Sequence, residues 1–338
     1  MRLACLALLI AIAAATRVLA GYEDAADYNA RTGGVTLLIL DDGKTAFERY
    51  ANGGAPEAAY ELASGTKSFS GVIAAVAVKD GLLTLDEKAS ETLVEWRSDP
   101  LKSGITIRQL LHLTSGVKST GIGRPPAYAA AIALPMATPP GEAFEYGPVN
   151  FQIFGEIMRR KLSAYEGGRY ADALAYLEAR IFDPLGIKPA QWNRGRDGNP
   201  QLPSGADLTA RDWARFGEFV RQGGVVDGRP LVDREAFAAM LDGSAVNAAY
   251  GLGWWLNETP APETLAASKT MREASDLFTH PRRDELPQDL FMAAGAGNQR
   301  LYIIPSKELV IVRQTGRLLQ GRRGRRFSDV EFLLTLLD

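Results

Sequence analysis

A buried helix that begins with a serine and a lysine is encoded by Ser64–Asp80, which reads SGTKSFSGVIAAVAVKD. Its apolar side chains recur at helical spacing, at Phe69, Val72, Ile73, Val76 and Ala77. This pattern predicts a helix with one buried face. Gly81 is expected to end this helix, because glycine is common just after the last helical residue. Since residues three apart lie on the same face of a helix, the Ser64 hydroxyl and the Lys67 amine can meet.

This pair of residue types suits nucleophilic catalysis. A serine hydroxyl is a weak nucleophile until a base takes its proton. An amine can act as that base only when it is neutral, and burial favours the neutral form. The partial positive charge at the start of a helix acts in the same direction. We therefore predict Ser64 as the nucleophile and Lys67 as its base, against the simpler interpretation that Ser64 only caps the helix.

The same spacing of serine and lysine occurs a second time, at Ser115–Lys118, which reads SGVK. Spacing alone does not choose between the two pairs. The second serine lies within Thr114–Gly116, after a predicted helix, and such a cluster is typical of a turn. Ser64 instead begins an apolar helix directly after the strand-like stretch Tyr60–Leu62. This context favours Ser64.

Strand patterns lie at both ends of the chain and helical patterns lie in the middle. Predicted strands cover residues 35–40, 45–50, 252–256, 290–294, 301–304 and 309–313, and predicted helices cover 105–113, 150–162, 170–182, 210–222 and 328–337. The first two strands form a β-hairpin. We predict an α/β (α+β) fold in which an antiparallel sheet is formed from both termini, is flanked by helices and carries an all-helical insertion. The sheet subdomain covers about 21–85 and 246–338, and the helical subdomain covers about 86–245.

Residues 1–20 have the pattern of a secretory signal peptide. A positive start is followed by the apolar run Leu3–Ala15, and Val18 and Ala20 precede Gly21 at the positions −3 and −1 of a cleavage site. The apolar run is too short to span a membrane comfortably. We therefore predict a mature catalytic domain over residues 21–338, a periplasmic or secreted location, and no membrane span after cleavage.

Cysteine and histidine are scarce in this chain. Cys5 is the only cysteine, and His112 and His280 are the only histidines. After signal removal neither a disulfide nor a cysteine metal site is possible, and a histidine-based triad is hard to build. We predict no metal and no cofactor. The net charge of −2 over 338 residues gives no indication of a nucleic-acid partner.

Six segments carry a resemblance that is more specific than the serine–lysine spacing. They are Ser64–Ser68 (SGTKS), Asp80–Asp86 (DGLLTLD), Ile105–Gly116 (ITIRQLLHLTSG), Pro140–Tyr146 (PGEAFEY), Tyr250–Trp254 (YGLGW) and Gly295–Pro305 (GAGNQRLYIIP). In this order they resemble the serine β-lactamase and penicillin-binding-protein superfamily, and in particular its β-lactamase-related esterases, D-aminopeptidase-like enzymes and 6-aminohexanoate-dimer hydrolase-like proteins. The resemblance covers about residues 35–335.

This resemblance implies a β-lactamase/transpeptidase-like fold and a set of roles. Ser64 would be acylated, with Lys67 as the base. Tyr146 would be the tyrosine of the second motif, and a phenol beside the nucleophile can relay a proton to the leaving group.

Two motifs depart from the pattern of this superfamily. The usual Tyr-x-Asn or Ser-x-Asn is here Tyr146–Pro148, and we expect Asn150 to be the N-cap of the next helix. The usual Lys-Thr-Gly or His-Thr-Gly has no clean match, and Ala293–Gly295 is the best positional match. Small residues let a strand backbone approach a substrate, which makes Ala294, Gly295 and Ala296 the candidate substrate strand. A main-chain N–H of Ala296 or a neighbour would join that of Ser64 in an oxyanion hole.

Two further features bear on the pocket. Alternate strand residues face opposite sides, so only one of Trp254 and Trp255 can line a pocket, and we take Trp254 as the candidate. Residues 258–288 are polar and irregular, which is typical of a lid or a binding loop.

The sequence predicts an exported serine hydrolase that acts through an acyl-enzyme on a small ester or amide. Its partner is a small-molecule or short peptide substrate, and the oligomeric state is left open. The missing third-motif cation weakens the case for substrates with the carboxylate of penicillins. A β-lactamase or D-alanyl-D-alanine peptidase-type enzyme is the alternative. A non-catalytic penicillin-binding-like sensor or scaffold is a further one.

Overall fold

The computed structural model describes residues 18–316 and 326–338. Strands in this part of the chain are β1 (Gly34–Asp41), β2 (Lys44–Tyr50), β3 (Ala59–Glu61), β4 (Gln191–Trp192), β5 (Ala206–Thr209), β6 (Val225–Val226), β7 (Arg229–Pro230), β8 (Trp255–Leu256), β9 (Phe291–Gly295), β10 (Gln299–Ile304) and β11 (Leu309–Thr315). Six of them form one antiparallel sheet in the order β2-β1-β11-β10-β9-β8. Because β1 pairs with β11, both ends of the chain supply the sheet, and the predicted fold class is confirmed.

Helices cover both faces of this sheet and the middle of the chain. Those in the described residues are α1 (residues 18–31), α2 (Ser68–Lys79), α3 (Ala89–Thr92), α4 (Ile107–Leu111), α5 (Tyr128–Ala133), α6 (Val149–Ala164), α7 (Ala173–Leu177), α8 (Asp183–Leu185), α9 (Ala210–Arg221), α10 (Arg234–Ala238), α11 (Pro262–Ala267), α12 (Lys269–Ala274) and α13 (Asp329–Leu337). The predicted helix over residues 105–113 is shortened to α4. A capping box starts it: the Thr106 hydroxyl accepts the Gln109 N–H at 3.1 Å, and the Gln109 side chain accepts the Thr106 N–H at 3.0 Å.

The predicted hairpin is formed by β1 and β2. Its turn residues Asp42 and Gly43 have φ values of 47° and 73°. Two successive positive φ values are what a two-residue hairpin turn with the native strand twist requires. The sequence Asp-Asp-Gly-Lys supplies residue types that tolerate them.

Helix α2 lies in the core, as the apolar spacing of Ser64–Asp80 predicts. Its residues from Ser68 to Ala77 are all buried. Phe69 contacts Phe216 of α9 and Phe182, with ring centroids 4.4 and 5.4 Å apart. An aromatic cluster of this kind links the helical part of the chain to the sheet, because α9 packs on β1, β10 and β11.

The position of α9 corrects the predicted subdomain boundary. Residues 210–221 fall within the stretch assigned to the helical subdomain, yet this helix packs on the main sheet. Gly217 makes the close contact possible, because a Cβ there would lie 2.6 Å from a Val310 methyl and 2.7 Å from a Leu301 methyl. The helical insertion therefore returns to the sheet before residue 210.

The prediction that residues 258–288 are irregular is also corrected. This stretch is not irregular throughout, because it contains α11, α12 and a short 3-10 helix at Arg283–Glu285. At the other end of the chain, residues 1–17 of the predicted signal peptide lie outside the described residues. Within 18–316 and 326–338, no helix has the length and apolarity to cross a membrane.

Candidate active site

Ser64 and Lys67 lie in a 3-10 turn, Ala63–Lys67, between β3 and α2. Their side chains meet, with the Lys67 Nζ 3.0 Å from the Ser64 Oγ. Lys67 itself occupies the N-cap position of α2, and no side chain caps that helix. The alternative that Ser64 serves as the helix cap is therefore wrong. The hydroxyl is partly exposed and faces an open pocket.

The amine of Lys67 is buried among neutral groups. Only 3% of the residue is exposed, and its Nζ donates to the Pro203 carbonyl oxygen at 2.9 Å. The rings of Tyr146 and Phe151 lie 5.0 and 5.7 Å from the Nζ. Burial lowers the pKa of Lys67 to about 7, because desolvation penalises the ammonium form. Near neutral pH a substantial fraction of the amine can therefore accept a proton from Ser64.

Close backbone contacts hold the nucleophile turn. Ala63 has a φ of 47°, a strained value for a residue with a side chain. Gly295, at the end of β9, lies against the same turn: a Cβ there would be 2.0 Å from the Leu62 carbonyl oxygen. Glycine is thus the residue that lets the end of β9 approach the turn that carries Ser64.

Tyr146 stands beside this pair. Its ring stacks on Trp255 with centroids 5.3 Å apart and packs against the edge of Tyr250. Burial raises the pKa of Tyr146 to about 12, although a hydrogen bond with Ser64 and the charge of Arg300 act in the opposite direction. The phenol is therefore neutral at neutral pH and can pass a proton on rather than keep a charge.

A pocket of about 240 Å³ opens in front of Ser64. Its wall combines the aromatic pair with the end of β9 and the turn that follows. The lining residues are Ser64, Ile122, Tyr146, Trp255, Thr270, Glu273, Ala294, Gly295, Ala296, Gly297, Asn298 and Arg300. The structure thus brings together Ser64, Tyr146 and the predicted substrate strand of Ala294, Gly295 and Ala296, with Lys67 behind the serine.

The tryptophan prediction is wrong. Trp254 is fully buried and stacks on Phe216 at 6.2 Å between ring centroids, so it belongs to the core. Trp255 lines the pocket instead. Strand alternation correctly predicted that only one of the two tryptophans lines the pocket, but it does not show on which face of the strand the pocket lies.

The second serine–lysine pair is structural. Ser115 is fully buried and its hydroxyl donates to the Asn150 Oδ1 at 2.7 Å, while Lys118 is exposed. This contact also corrects the prediction for Asn150, which lies inside α6 rather than at its N-cap. Pro148 takes the N-cap position.

Several pocket residues escaped the sequence reasoning. Arg300 is 1% exposed and pairs with Asp329 at 2.6 Å. Thr270 and Glu273 come from α12, in a stretch that has no strand or long-helix pattern. The i, i+3 spacing of these two residues was the one available signal, but nothing in the sequence shows that α12 reaches the pocket. In the described part of the chain, no group of three or more acidic, histidine or cysteine residues could hold a metal ion.

Comparisons with known proteins show the family and the fold of the chain. The family model described as Beta-lactamase matches residues 19–328. Protein flp of Staphylococcus aureus is 27% identical over an alignment of 146 residues. The match covers 37% of this chain and 29% of that relative, so the chain spans under a third of the relative's length.

Two solved structures share the fold. A putative 6-aminohexanoate-dimer hydrolase from Bacillus anthracis has a TM-score of 0.65 at 19% identity, over 90% of this chain and 78% of that one. EstCE1, described as a hydrolase with promiscuous acyltransferase activity, has a TM-score of 0.65 at 15% identity, over 95% of this chain and 97% of that one. At these identities the likeness concerns the fold alone.

Proposed function

The chain belongs to the beta-lactamase family, and on that premise we propose that it is an exported serine hydrolase acting through an acyl-enzyme on a small ester or amide. One observation carries this proposal: the buried Lys67 amine lies 3.0 Å from the Ser64 Oγ. With its pKa lowered to about 7, this amine combines the two properties that a general base needs, reach and a matched pKa.

The contacts of Lys67 suggest how the first step proceeds. In the neutral amine, one N–H donates to the Pro203 carbonyl oxygen, and the lone pair is available to the Ser64 hydroxyl. Lys67 takes the hydroxyl proton as the Ser64 oxygen attacks the substrate carbonyl. Main-chain N–H groups of Ser64 and Ala296 are the candidate donors to the oxyanion that forms.

Tyr146 completes the proton path in this proposal. The phenol gives its proton to the leaving oxygen or nitrogen and regains one from the Lys67 ammonium, whose Nζ lies 5.0 Å from the phenol ring. The acyl group is then on Ser64, and the leaving group departs neutral. Water attacks the acyl carbonyl next, and the same path carries its proton in reverse.

Small carbonyl substrates without a carboxylate suit this pocket better than β-lactams. The strand that would carry a lysine or histidine for a substrate carboxylate carries Ala293–Gly295 instead. Arg300 is near, but Asp329 pairs with its charge at 2.6 Å. Pro148 stands where an asparagine amide would hold the substrate.

Labelling with a fluorophosphonate probe tests the proposal. We expect the wild type to be labelled and Ser64→Ala to remain unlabelled. Lys67→Met should lose labelling and keep its fold, because an apolar chain of similar length replaces a desolvated amine. Lys118→Ala, the exposed lysine of the second pair, is the matched control and should label as the wild type does. Absence of wild-type labelling would favour a non-catalytic sensor or scaffold.

A second candidate function follows from the family description. As a β-lactamase or D-alanyl-D-alanine peptidase-type enzyme, the protein would turn over a chromogenic cephalosporin. We expect short-chain nitrophenyl esters to be hydrolysed much faster than the cephalosporin, and the reverse order would replace our proposal with this candidate.

Export is part of the proposal and rests on the signal-like pattern of residues 1–20. Fractionation of cells that express the full chain, with mass spectrometry of the mature N-terminus, tests it. A cytoplasmic product that retains residues 1–20 would contradict it.

A further inference from the structure

The rim of the pocket carries an acidic side chain on a short helix. Thr270 and Glu273 of α12 both line the pocket, and residues at i and i+3 share one face of a helix. Met271, between them, is fully buried and lies 3.5 Å from the Asn247 side-chain nitrogen, measured from its sulfur. The buried methionine orients α12 so that Glu273 faces the pocket.

Anchors on either side hold this helix in place. The Ser268 hydroxyl accepts the Met271 N–H at 3.3 Å at the start of α12. Just after the helix, Asp276 accepts the backbone N–H of Asp329 at 2.8 Å, at the start of α13. The backbone of α12 is therefore tied to the core and to the closing helix, which keeps Glu273 at the pocket rim.

Glu273 contributes a negative charge at the rim of the pocket. Its side chain is 63% exposed, and its ion pair with Lys269 is 3.8 Å long between two exposed groups, which contributes little. The cation of Arg300 is matched by the buried Asp329. The other polar lining groups, Thr270 and Asn298 among them, are neutral. Among the described lining residues, Glu273 therefore carries the one exposed charge at the rim, and it is negative.

The rest of the wall suits the carbon atoms beside a positive charge. Tyr146 and Trp255, which stack on each other, contribute aromatic surface, and Ile122 adds an apolar side chain. A carboxylate beside aromatic and aliphatic surface is a favourable environment for an alkylammonium group. It is an unfavourable environment for a carboxylate.

We propose that Glu273 is a specificity-determining residue that selects esters or amides carrying an ammonium group near the scissile carbonyl. This inference rests on the proposed hydrolase function and narrows its substrate class to cationic carbonyl compounds. The positive group contacts the Glu273 carboxylate at the rim, and the carbonyl lies at Ser64.

Pairs of esters that differ only in charge test the proposal. Acetylcholine and 3,3-dimethylbutyl acetate place the charge on the alcohol, and nitrophenyl esters of 4-(trimethylammonio)butanoate and 5,5-dimethylhexanoate place it on the acyl group. We expect the wild-type kcat/KM to favour the cation in at least one pair by roughly threefold to tenfold, the size of one or two partly exposed charge contacts. High salt should shrink this preference, because exposed charges are screened.

Substitution separates Glu273 from general charge effects. Glu273→Gln should bring the ratio of kcat/KM values for charged and neutral esters close to one, and Glu273→Lys should reverse it. Glu263→Gln, which removes an exposed carboxylate of α11 outside the pocket, is the matched control and should keep the wild-type ratio. An equal preference in the wild type and in Glu273→Gln would overturn the proposal.

A binding measurement distinguishes failure of this inference from failure of the hydrolase proposal. Calorimetry gives the Kd of benzyltrimethylammonium without any turnover. We expect the Kd to rise about threefold or more in Glu273→Gln and to stay unchanged in Glu263→Gln. If esters are hydrolysed but neither the Kd nor the kcat/KM ratio depends on Glu273, only the charge inference fails. If the Kd depends on Glu273 but no ester is hydrolysed and Ser64 is not labelled, only the hydrolase proposal fails.

Discussion

At the scale of single residues, the site depends on where one amine lies. Lys67 is buried with a carbonyl oxygen and two aromatic rings around it, and no carboxylate within the described residues forms an ion pair with it. Desolvation without a counter-charge is what lowers its pKa to about 7. Lys118, the lysine of the second pair, is exposed instead.

The pH dependence of turnover follows from this burial. The neutral amine is the active form, so kcat/KM should rise as pH increases through about 7 and then level off. The next expected change is a decline toward pH 12, where Tyr146 loses its proton. Initial rates with a neutral nitrophenyl ester between pH 5 and 10 check the first limb. A rate that stays flat across pH 6 to 8 would show that Lys67 is not the base.

At the scale of elements, the site is a junction between a turn and a strand end. The 3-10 turn of Ala63–Lys67 carries the nucleophile, and β9 ends beside it. Neither element alone forms a pocket wall. The contact needs glycine at position 295, because the carbonyl oxygen of Leu62 occupies the space of a side chain.

Gly295→Ala should therefore damage catalysis. The added Cβ would lie 2.0 Å from the Leu62 carbonyl oxygen, so β9 must move away from the turn. Displacing one oxyanion donor lowers kcat by about 10²- to 10³-fold in serine hydrolases. We expect a loss of that order in kcat with a smaller change in KM.

The matched control for this substitution is Gly104→Ala. Gly104 lies in another 3-10 helix, and no atom lies within 4 Å of the position of its added Cβ. Activity of this variant should equal that of the wild type. Gly295→Ala with wild-type kcat would contradict the role given to the end of β9.

At the scale of the whole molecule, the closing helix supports the pocket wall. Asp329 at the start of α13 pairs with Arg300 of β10 at 2.6 Å, and both side chains are almost fully buried. Arg300 in turn donates to the Gly295 carbonyl oxygen at 3.1 Å. The C-terminal helix is thus connected through one ion pair to the strand end beside Ser64.

Removing one partner of this pair should destabilise the protein strongly. Asp329→Asn leaves the Arg300 charge buried without its partner, which typically costs about 3–5 kcal/mol. Glu331→Gln, which removes the exposed ion pair of the same helix with Arg282, should cost no more than about 1 kcal/mol. The free energy of unfolding from denaturant titration checks both values. Similar losses in the two variants would contradict the weight given to burial.

The pH dependence of stability should differ between the wild type and Asp329→Asn. Burial raises the pKa of Asp329, but the charge and hydrogen bonds of Arg300 lower it more, so the pKa lies below its usual range in the folded protein. The unfolded chain then takes up a proton first as pH falls. This contribution to stability is present above the ordinary carboxyl pKa of about 3.9 and is lost as pH falls through the folded value. Wild type should lose stability more steeply than Asp329→Asn below about pH 4.

The sequence by itself determined the sheet and the helix that follows the nucleophile. Apolar periodicity and turn residues depend on contacts within about ten residues, so the β1–β2 hairpin and α2 could be predicted from local patterns. The spacing of Ser64 and Lys67 is local in the same sense. The order of the sequence motifs indicated the family, which the match over residues 19–328 confirms.

Only the tertiary structure decided the surroundings of that pair. Burial of Lys67 depends on Pro203 and Phe151, and the pocket wall depends on Arg300 with its partner Asp329, all far from Ser64 in sequence. The tertiary structure also decided that Trp255 rather than Trp254 lines the pocket, and that α12 lies at the pocket rim. The pKa of Lys67, the charge of the pocket and the close contact at Gly295 depend on groups that packing brings together. Periodicity along the chain therefore does not predict them.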